Sequence, residues 1–254
     1  MSILKIKKFL DDFFDPSEIS EKIDQISIYV DYLLKWNKSI NVIARKDEDV
    51  VWERHVFDSV QLIKFIPIDQ KELSLIDMGS GGGLPGILLA ILLPLNIKLI
   101  ESDERKCIFL KEILRKLDLS NVTVINSRIE HLNPMFEEKK KSDDFLRSFS
   151  KKQGFWAQKG SKIAQGEAKI DHMVDVLIGR GLTNLSGLLK YSEALLKKTG
   201  FCVFPKGKRY QEEILEAEKE FMFDYQIHPS LSSDDGRILE IRNIKSLKKE
   251  VLNL

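Results

Sequence analysis

The stretch "LSLIDMGSGGGLPGILLAILL", residues 73–93, holds five glycines within eight residues, between two apolar runs. Glycine weakens helices and strands, because it loses more backbone freedom on folding than any other residue. A buried strand that leads through a glycine turn into a helix commonly binds an anion or a nucleotide: the glycines allow a tight turn, and the helix N-terminus offers unpaired N–H groups. The stretch therefore predicts a ligand-binding turn rather than a simple corner.

Two nucleotide-binding fingerprints overlap in this turn. Gly81, Gly83 and Gly86 spell G-x-G-x-x-G, the dinucleotide pattern. Asp77 followed by Gly79, Gly81 and Gly83 spells acid-x-G-x-G-x-G. This second pattern resembles the first motif of the class I methyltransferases that use S-adenosylmethionine. The glycines alone are compatible with both kinds of ligand.

Two carboxylates bear on the choice of ligand. Glu101 ends the next predicted strand, roughly 20 residues after the turn, where both ligands expect a carboxylate for the ribose hydroxyls. Asp77 comes directly before the glycines, where it would repel a pyrophosphate but attract the ammonium and sulfonium groups of S-adenosylmethionine. The charge therefore favours the methyl donor, and a nicotinamide-dependent oxidoreductase is the alternative.

The overall composition is that of an ordinary globular protein. Hydrophobic residues make up 43% and charged residues 31% of the 254, and the formal net charge is +1. Attraction to nucleic acid must therefore come from local basic patches. The longest apolar stretch, 84–97, contains two prolines and is too short to cross a bilayer. We therefore expect a cytoplasmic protein with no membrane partner and, because its histidines have no matching ligand partners, no metal.

The first 70 residues predict a helical layer. Apolar residues recur at helical spacing over 17–45, with Ser17 or Ser20 as the N-terminal cap. A second helix is predicted over 48–65, because Pro67 follows it.

Residues 71–254 predict a second domain, in which strand and helix patterns alternate. Such alternation predicts an α/β fold with a parallel, doubly wound sheet. A helix over 185–200 should end at Gly200, and the strands at 225–230 and 237–244 predict a closing antiparallel pair. The stretch 133–171, rich in Lys, Ser, Gly and Gln, interrupts the alternation as a basic insert.

Longer segments resemble one family, the bacterial methyltransferases that modify a guanine at N7 in small-subunit (16S) ribosomal RNA, first called glucose-inhibited division protein B. The resemblance covers nearly the whole chain except 133–171. It rests on "YVDYLLKWNKSINVIARKDEDVVWERHVFDSV", "DMGSGGGLPGILLAI", "LIESDERKCIFLKEI", "NSRIEHL", "IGRGLTNL", "FPKG" and "DDGRILEIRN". It implies a class I Rossmann-like methyltransferase fold and S-adenosylmethionine as cofactor. It also implies 16S rRNA as partner, within the small subunit or its precursor, and we expect a monomer.

The same resemblance extends the candidate cofactor site beyond the glycine turn. It implies that Gly79 and Leu84 touch the methyl donor, that Ile129 and Glu130 flank its adenine, and that Arg180 lies in the cofactor site. Together with the glycine motif and the two carboxylates, the candidate set is Asp77, Gly79, Ser80, Gly81, Gly83, Leu84, Glu101, Ile129, Glu130 and Arg180.

We expect no catalytic acid or base in this chain. Guanine N7 carries a free lone pair and no proton, and a sulfonium methyl group is already activated, so alignment of the reacting atoms is the main requirement. The alternatives are a class I methyltransferase acting on another RNA and a non-catalytic RNA-binding assembly factor that has kept the fold.

Candidate RNA-binding residues are Arg54, His55 and Lys206. At helical spacing His55 shares a face with Ser59, and Arg54 with Asp58. That face either meets RNA and the methyl donor, or is a surface ion pair beside a core histidine. Lys206 is predicted at the end of a strand, where it contacts the RNA backbone or is a solvated loop lysine.

Overall fold

The structure, a computed structural model, describes residues 2–68, 70, 72–132 and 174–247. The predicted basic insert, 133–171, lies outside the described residues. Within the described ranges, no helix combines the length and the apolar character needed to cross a membrane.

One seven-stranded sheet forms the centre of the described part of the chain. Its strands are β1 (Ser74–Met78), β2 (Asn96–Glu101), β3 (Val122–Asn126), β4 (Val174–Gly179), β5 (Leu196–Lys206), β6 (Phe221–Pro229) and β7 (Arg237–Ser246). They lie in the order β3-β2-β1-β4-β5-β7-β6. Strands β1 to β5 are parallel, and β7 is antiparallel to both of its neighbours. The predicted doubly wound α/β fold with a closing antiparallel pair is confirmed.

Helices cover both faces of this sheet. They are α1 (Ser2–Leu10), α2 (Pro16–Asn37), α3 (Asp58–Val60), α4 (Gly86–Leu92), α5 (Glu104–Lys116), α6 (Leu185–Leu195) and α7 (Tyr210–Ala217). The N-terminal helices share one core cluster with α4 and α5, while α6 and α7 belong to the cluster on the other face. Consecutive strand residues such as Leu75 and Ile76 belong to different clusters, as the alternation of side chains along a strand requires.

Helix α2 begins earlier than the sequence patterns predict. Its cap is Asp15 rather than Ser17 or Ser20, because the Asp15 carboxylate accepts the backbone N–H groups of Ser17 and Glu18. The Glu18 carboxylate accepts the backbone N–H of Asp15 in return, which completes a capping box. Helix α1 was not predicted.

Helix α2 also ends earlier, at Asn37 rather than at residue 45. Asn37 is fully buried, and its side-chain oxygen accepts the backbone N–H groups of Val42 and Ile43 at 2.8 and 3.0 Å. These two bonds turn the chain sharply after the helix. A buried amide that satisfies loop N–H groups thus replaces further helical turns.

The segment 45–65 is helical but not one regular α-helix. It consists of a 3₁₀ helix (Arg45–Val50), a π-helix (Trp52–Phe57), the short α3 and a second 3₁₀ helix (Gln61–Phe65). A π-helix bonds residue i to i+5, so side chains four residues apart no longer lie above one another. The prediction that 48–65 is helical is therefore correct in extent, but the prediction of which side chains share one face is wrong.

The boundary between α6 and β5 differs from the prediction. The helix ends at Leu195, and Gly200 lies inside β5 rather than after the helix. Val174 of β4 pairs with Leu196 and Val176 pairs with Phe201, so residues 197–200 form a bulge. A Cβ atom at Gly200 would lie 2.8 Å from the carbonyl oxygen of Asp175, which accounts for glycine there.

Candidate active site

The glycine turn joins the end of β1 to the start of α4 at the carboxyl edge of the parallel strands. Gly79, Gly81 and Gly83 have φ angles of +69°, +56° and +82°, a region that other residues enter only at a cost. The turn is anchored by the Ser80 N–H, which donates to the carbonyl oxygen of Ile100 in β2 at 2.9 Å. The glycines are therefore required by the backbone path, as the sequence predicts.

Space around the glycines differs from one position to the next. A Cβ at Gly83 would clash with Ile87 and lie 3.0 Å from Leu110 Cδ2, so this glycine packs against the core. A Cβ at Gly81 would meet nothing closer than the Gly79 carbonyl oxygen, at 3.9 Å. The backbone at Gly81 is therefore open to close approach by a ligand, as a nucleotide-binding turn requires.

Helix α2 supports the turn from behind. The hydroxyl of Tyr29, which is fully buried, donates to the carbonyl oxygen of Gly82 at 2.7 Å. Leu33, one turn further along α2, has its Cδ1 atom 3.0 Å from where a Cβ at Gly82 would lie. Burial raises the pKa of the Tyr29 phenol, so the hydroxyl stays a hydrogen-bond donor. Sequence reasoning missed this residue, because a tyrosine on the apolar stripe of a helix reads simply as core.

Glu101 ties the glycine turn to the end of β2. Its Oε2 atom accepts the backbone N–H of Gly81 at 2.9 Å, and its Oε1 atom accepts those of Ser102 and Asp103 at 2.7 and 2.8 Å. Glu101 is 8% exposed. A carboxylate offers about four lone-pair positions, so three bonds leave one acceptor position for a ligand hydroxyl.

Asp77 lies behind the turn rather than on its surface. It is fully buried, and its Oδ2 atom accepts the Gly86 N–H at 3.0 Å, at the start of α4. Within the described part of the chain, Oδ1 has no hydrogen-bond partner. Burial raises the pKa of this carboxyl group to about 7. Asp77 therefore has no exposed surface in this structure, and an effect on a ligand would have to act through space. A cationic ligand would favour the ionised form of this carboxyl group.

A loop after β4 covers part of the turn. A Cβ at Gly79 would lie 2.7 Å from Leu182 Cδ1, so the Leu182 side chain lies directly over this glycine. Gly181, next to it, has a φ angle of +67° and open space around it. Leu84, on the other side of the turn, is only 4% exposed and belongs to the core. A contact between Leu84 and a ligand would therefore be confined to a small part of its surface.

The predicted adenine-flanking residues lie in a 3₁₀ helix after β3, Ile129–Leu132. Ile129 is buried, whereas Glu130 is exposed and accepts the Tyr191 hydroxyl at 2.6 Å. This bond from Tyr191 holds the pKa of Glu130 below its usual range, so the carboxylate is ionised at neutral pH. An apolar and an acidic side chain thus stand next to each other beyond the end of β3.

Arg180 joins the loop after β4 to the N-terminal helical segment. Its Nη1 atom donates to Asp58 Oδ2 at 3.1 Å, and its Nη2 atom lies 3.0 Å from His55 Nδ1. Because arginine can only donate, His55 Nδ1 is an acceptor and the ring proton is on Nε2, 3.3 Å from Asp47 Oδ2. Burial is the larger cause, and the charge of Arg180 the next, of a lowered pKa of His55, so the ring is neutral.

The ion pair between Arg54 and Asp58, one of the predicted alternatives, does not form. Arg54 lies 3.4 Å from Asp47 rather than pairing with Asp58, and its side chain is 62% exposed. The hydroxyl of Ser59 is buried and donates to the backbone carbonyl of His55 at 2.7 Å. The π-helix accounts for the changed partner of Arg54, because it changes which residues face the same side.

Lys206 forms a largely buried ion pair. Its side chain is only 7% exposed, and its Nζ atom pairs with Glu213 Oε2 at 2.8 Å. The same Glu213 oxygen accepts the backbone N–H of Leu185 at 2.8 Å, at the start of α6. Lys206 therefore joins β5 to α6 and α7, which corrects the solvated-loop interpretation. A contact between Lys206 and RNA would require this ion pair to open.

Metal binding finds no support in the described ranges. Among those residues, no group of three or more His, Cys, Asp or Glu side chains is placed to hold an ion.

Comparison with known proteins decides the family. The model for "GidB: rRNA small subunit methyltransferase G" matches residues 22–151 and 135–241. The chain is 34% identical over 232 residues to ribosomal RNA small subunit methyltransferase G of Rickettsia rickettsii (strain Sheila Smith), covering 91% of this chain and 98% of that protein. It is 34% identical over 228 residues to the protein of the same name from Rickettsia prowazekii (strain Madrid E), covering 90% and 97%. The chain belongs to the GidB family.

Membership of the GidB family confirms the resemblance drawn from the sequence motifs. It also confirms the predicted class: the chain is a class I, S-adenosylmethionine-dependent methyltransferase of ribosomal RNA. In this GidB-family chain, the glycine turn, Glu101 and Arg180 are therefore candidates for the cofactor site.

Proposed function

We propose that this chain transfers a methyl group from S-adenosylmethionine to N7 of a guanine in 16S ribosomal RNA. The observation that carries the proposal is the glycine turn in a GidB-family chain, with its open backbone at Gly81 next to the carboxylate of Glu101. No described feature favours the dinucleotide alternative, and the buried carboxylate of Asp77 would oppose a pyrophosphate beside the same turn.

We propose that the cofactor site consists of Asp77, Gly79, Ser80, Gly81, Gly83, Leu84, Glu101, Ile129, Glu130 and Arg180. In this site Glu101 accepts a ribose hydroxyl with its remaining lone pair. Ile129 and Glu130 flank the adenine, and the open space at Gly81 lets the ligand approach the backbone closely. The unpaired Oδ1 atom of Asp77 supplies the negative charge that a cationic ligand would complement.

The role of the chain in the chemistry is alignment. S-adenosylmethionine, when bound, supplies an activated methyl group on a positively charged sulfur. Guanine N7 would form the new bond to the methyl carbon with its free lone pair, while the bond from methyl to sulfur breaks and S-adenosylhomocysteine leaves, so no side chain has to remove a proton. The protein holds the two reactants in line and excludes water, which is catalysis by proximity and orientation.

The target base has to reach the methyl group beside the glycine turn. We propose that the guanine is unstacked from the RNA to do so. Arg54, with 62% of its side chain exposed, remains a candidate for phosphate contact.

We further propose that the substrate is the small ribosomal subunit or its precursor, that the enzyme acts as a monomer, and that it works in the cytoplasm. The helical N-terminal layer, residues 1–70, would then serve the RNA side of a methyltransferase domain formed by residues 71–254.

Radiolabelled methyl transfer to undermethylated small subunits tests the proposed function. The expected result is incorporation of one label per subunit, recovered as 7-methylguanosine after digestion. Labelling of a different RNA would show another substrate for the same chemistry. Binding of S-adenosylhomocysteine without any incorporation would reject the assignment in favour of an assembly factor.

A further inference from the structure

We propose that Asp58 is a positioning residue for the methyl donor: it fixes Arg180 so that the N-terminal helical segment sets the affinity of the cofactor site. This inference rests on the proposed function, because it takes Arg180 as part of that site. Asp58 itself is not in the glycine turn; it lies in α3, within the segment 45–65.

The two oxygens of Asp58 have separate partners. Oδ2 accepts the Arg180 Nη1 donor at 3.1 Å. Oδ1 accepts the Ser232 hydroxyl at 2.8 Å and the Gln61 side-chain amide at 3.1 Å. Gln61 is almost fully buried and in turn accepts the backbone N–H of Leu231 at 2.7 Å. The bonds to Oδ1 thus fix the orientation of the carboxylate, and Oδ2 is left to accept from Arg180.

In the part of the chain that the structure describes, the hydrogen-bond partners of the Arg180 guanidinium belong to the N-terminal layer. Besides Asp58, its guanidinium contacts the ring nitrogen of His55 and, at 3.5 Å, the backbone carbonyl of Arg54. The side chains of Arg180 and Asp58 are each about one-fifth exposed, at 19% and 20%. An ion pair at this depth is screened less by water than a surface pair, so its geometry can hold the arginine in place.

Arg180 lies next to the glycine turn. It directly follows Gly179 of β4, which pairs with Met78 at the end of β1, and Leu182 of the same loop lies over Gly79. The positive charge of Arg180 also opposes the rise that burial causes in the pKa of Asp77. A change at Asp58 should reach the cofactor site through Arg180, and through no other contact described for Asp58.

The variant Asp58→Asn distinguishes this role from simple packing. Ser232 and Gln61 both donate to Oδ1, so the oxygen of the substituted amide would stay on their side and its NH₂ group would face the guanidinium. Two donors then meet, and Arg180 loses its partner while the loop contacts are kept. Asp175→Asn is the matched control, because Asp175 also pairs with a cation, Lys197 at 2.9 Å, but at the opposite end of β4.

The experiment is a double-mutant cycle on the affinity for S-adenosylhomocysteine, measured by calorimetry, with Asp58→Asn and Arg180→Ala made singly and together. We expect each single variant to weaken binding about tenfold, and the double variant to bind no more weakly than Arg180→Ala alone. Asp58→Glu should restore part of the affinity, and Asp175→Asn should stay within about twofold of the wild type. In Asp58→Asn, methyl transfer should change mainly through the KM for the methyl donor and much less through kcat.

Three results would overturn the proposal. The first is a double variant whose loss of affinity equals the product of the two single losses. The second is an unchanged affinity in Asp58→Asn, and the third is an unchanged affinity in Arg180→Ala. If Asp58→Asn does not fold, Ser232→Ala loosens the same carboxylate without touching Arg180. It should weaken binding roughly two- to fivefold, and unchanged binding would again contradict the proposal.

Failure here is distinguishable from failure of the proposed function. A wild-type protein that methylates ribosomal RNA but shows no coupling between Asp58 and Arg180 rejects the positioning role alone. A protein that shows the coupling but transfers no methyl group to ribosomal RNA rejects the proposed function alone.

Discussion

The hydroxyl of Tyr29 in α2 donates a 2.7 Å hydrogen bond to the carbonyl oxygen of Gly82 in the glycine turn. Tyr29 is fully buried, so water cannot replace this donor. The bond makes the N-terminal layer part of the proposed cofactor site, because the conformation of the turn depends on a residue that lies 53 positions before Gly82 in the chain.

Tyr29→Phe should therefore destabilise the protein and weaken cofactor binding together. Removing the hydroxyl leaves a buried carbonyl oxygen unsatisfied, which costs about 1–3 kcal/mol. We expect a decrease in Tm of several degrees and a several-fold loss of affinity for S-adenosylhomocysteine, measured by thermal denaturation and calorimetry. Tyr32→Phe is the control, because the Tyr32 ring stacks on Phe109, 6.0 Å between centroids, and that stacking does not need the hydroxyl. Equal losses in the two variants would contradict this role of Tyr29.

Gly83→Ala should abolish binding of the methyl donor. Gly83 has a φ angle of +82°, and an added Cβ would clash with Ile87 and crowd Leu110. The left-handed backbone alone costs about 1–2 kcal/mol for an alanine, and the clash adds to it. The measurement is calorimetry with S-adenosylhomocysteine beside circular dichroism. Gly207→Ala, where a Cβ would meet nothing within 4 Å, should bind and fold as the wild type does.

Asp77→Asn should raise stability and lower affinity for the cationic cofactor. In the folded protein the pKa of Asp77 is about 7, against 3.8 for an ordinary aspartate. As pH rises from about 4 to about 7 the unfolded chain loses this proton and the folded chain keeps it, so ionisation costs stability over that range. We expect the Tm of the variant to exceed that of the wild type by more at about pH 8 than at about pH 5.

The binding side of this prediction uses two ligands. S-adenosylmethionine carries a positive sulfur and S-adenosylhomocysteine a neutral one, so Asp77→Asn should weaken the first about tenfold and the second less. An equal change for both ligands would show that the charge of Asp77 does not act on the sulfonium.

Cofactor affinity should fall on acidification through His55. The charged groups that face this ring are Asp47 of the preceding 3₁₀ helix, Asp58 of α3 and Arg180 of the loop after β4. The neutral ring accepts from Arg180, and a protonated ring would oppose it. Because the folded pKa is lowered, the stability that the neutral ring contributes is present above about pH 6.5 and is lost as pH falls from there through the lower folded pKa.

The measurement is the dissociation constant of S-adenosylhomocysteine between about pH 5.5 and about pH 7.5, which spans the ordinary pKa of histidine. His55→Asn is the comparison, because its amide oxygen can replace the Nδ1 acceptor but does not titrate. The wild type should lose more affinity than the variant over this range. Parallel pH profiles would exclude His55 as the group responsible.

Local patterns predicted most of the methyltransferase domain. The glycine turn and Glu101 follow from residue types that few other structures need, so they were predicted at the correct positions. The errors lie where tertiary contacts decide the local structure. Asn37 ends α2 through bonds to Val42 and Ile43, and the bulge in β5 changes the boundary at Gly200. Neither effect leaves a periodic signal.

The side-chain contacts of the N-terminal segment were harder to predict, because the prediction assumed the residue spacing of a regular α-helix. The π-helix Trp52–Phe57 turns Arg54 towards Asp47 and leaves Asp58 for Arg180. Lys206 shows a related limit. Its partner Glu213 lies only seven residues later, in α7, but no spacing rule pairs the end of a strand with the helix that follows it. Contacts between distant segments need the fold before they can be read.

Mass-spectrometric mapping of 7-methylguanosine in 16S ribosomal RNA from cells with and without this protein tests the central claim most directly. We predict that one 7-methylguanosine disappears in the deletion strain and returns with the wild-type gene but not with a gene carrying Gly83→Ala. An unchanged set of 7-methylguanosines in the deletion strain would contradict the proposed function.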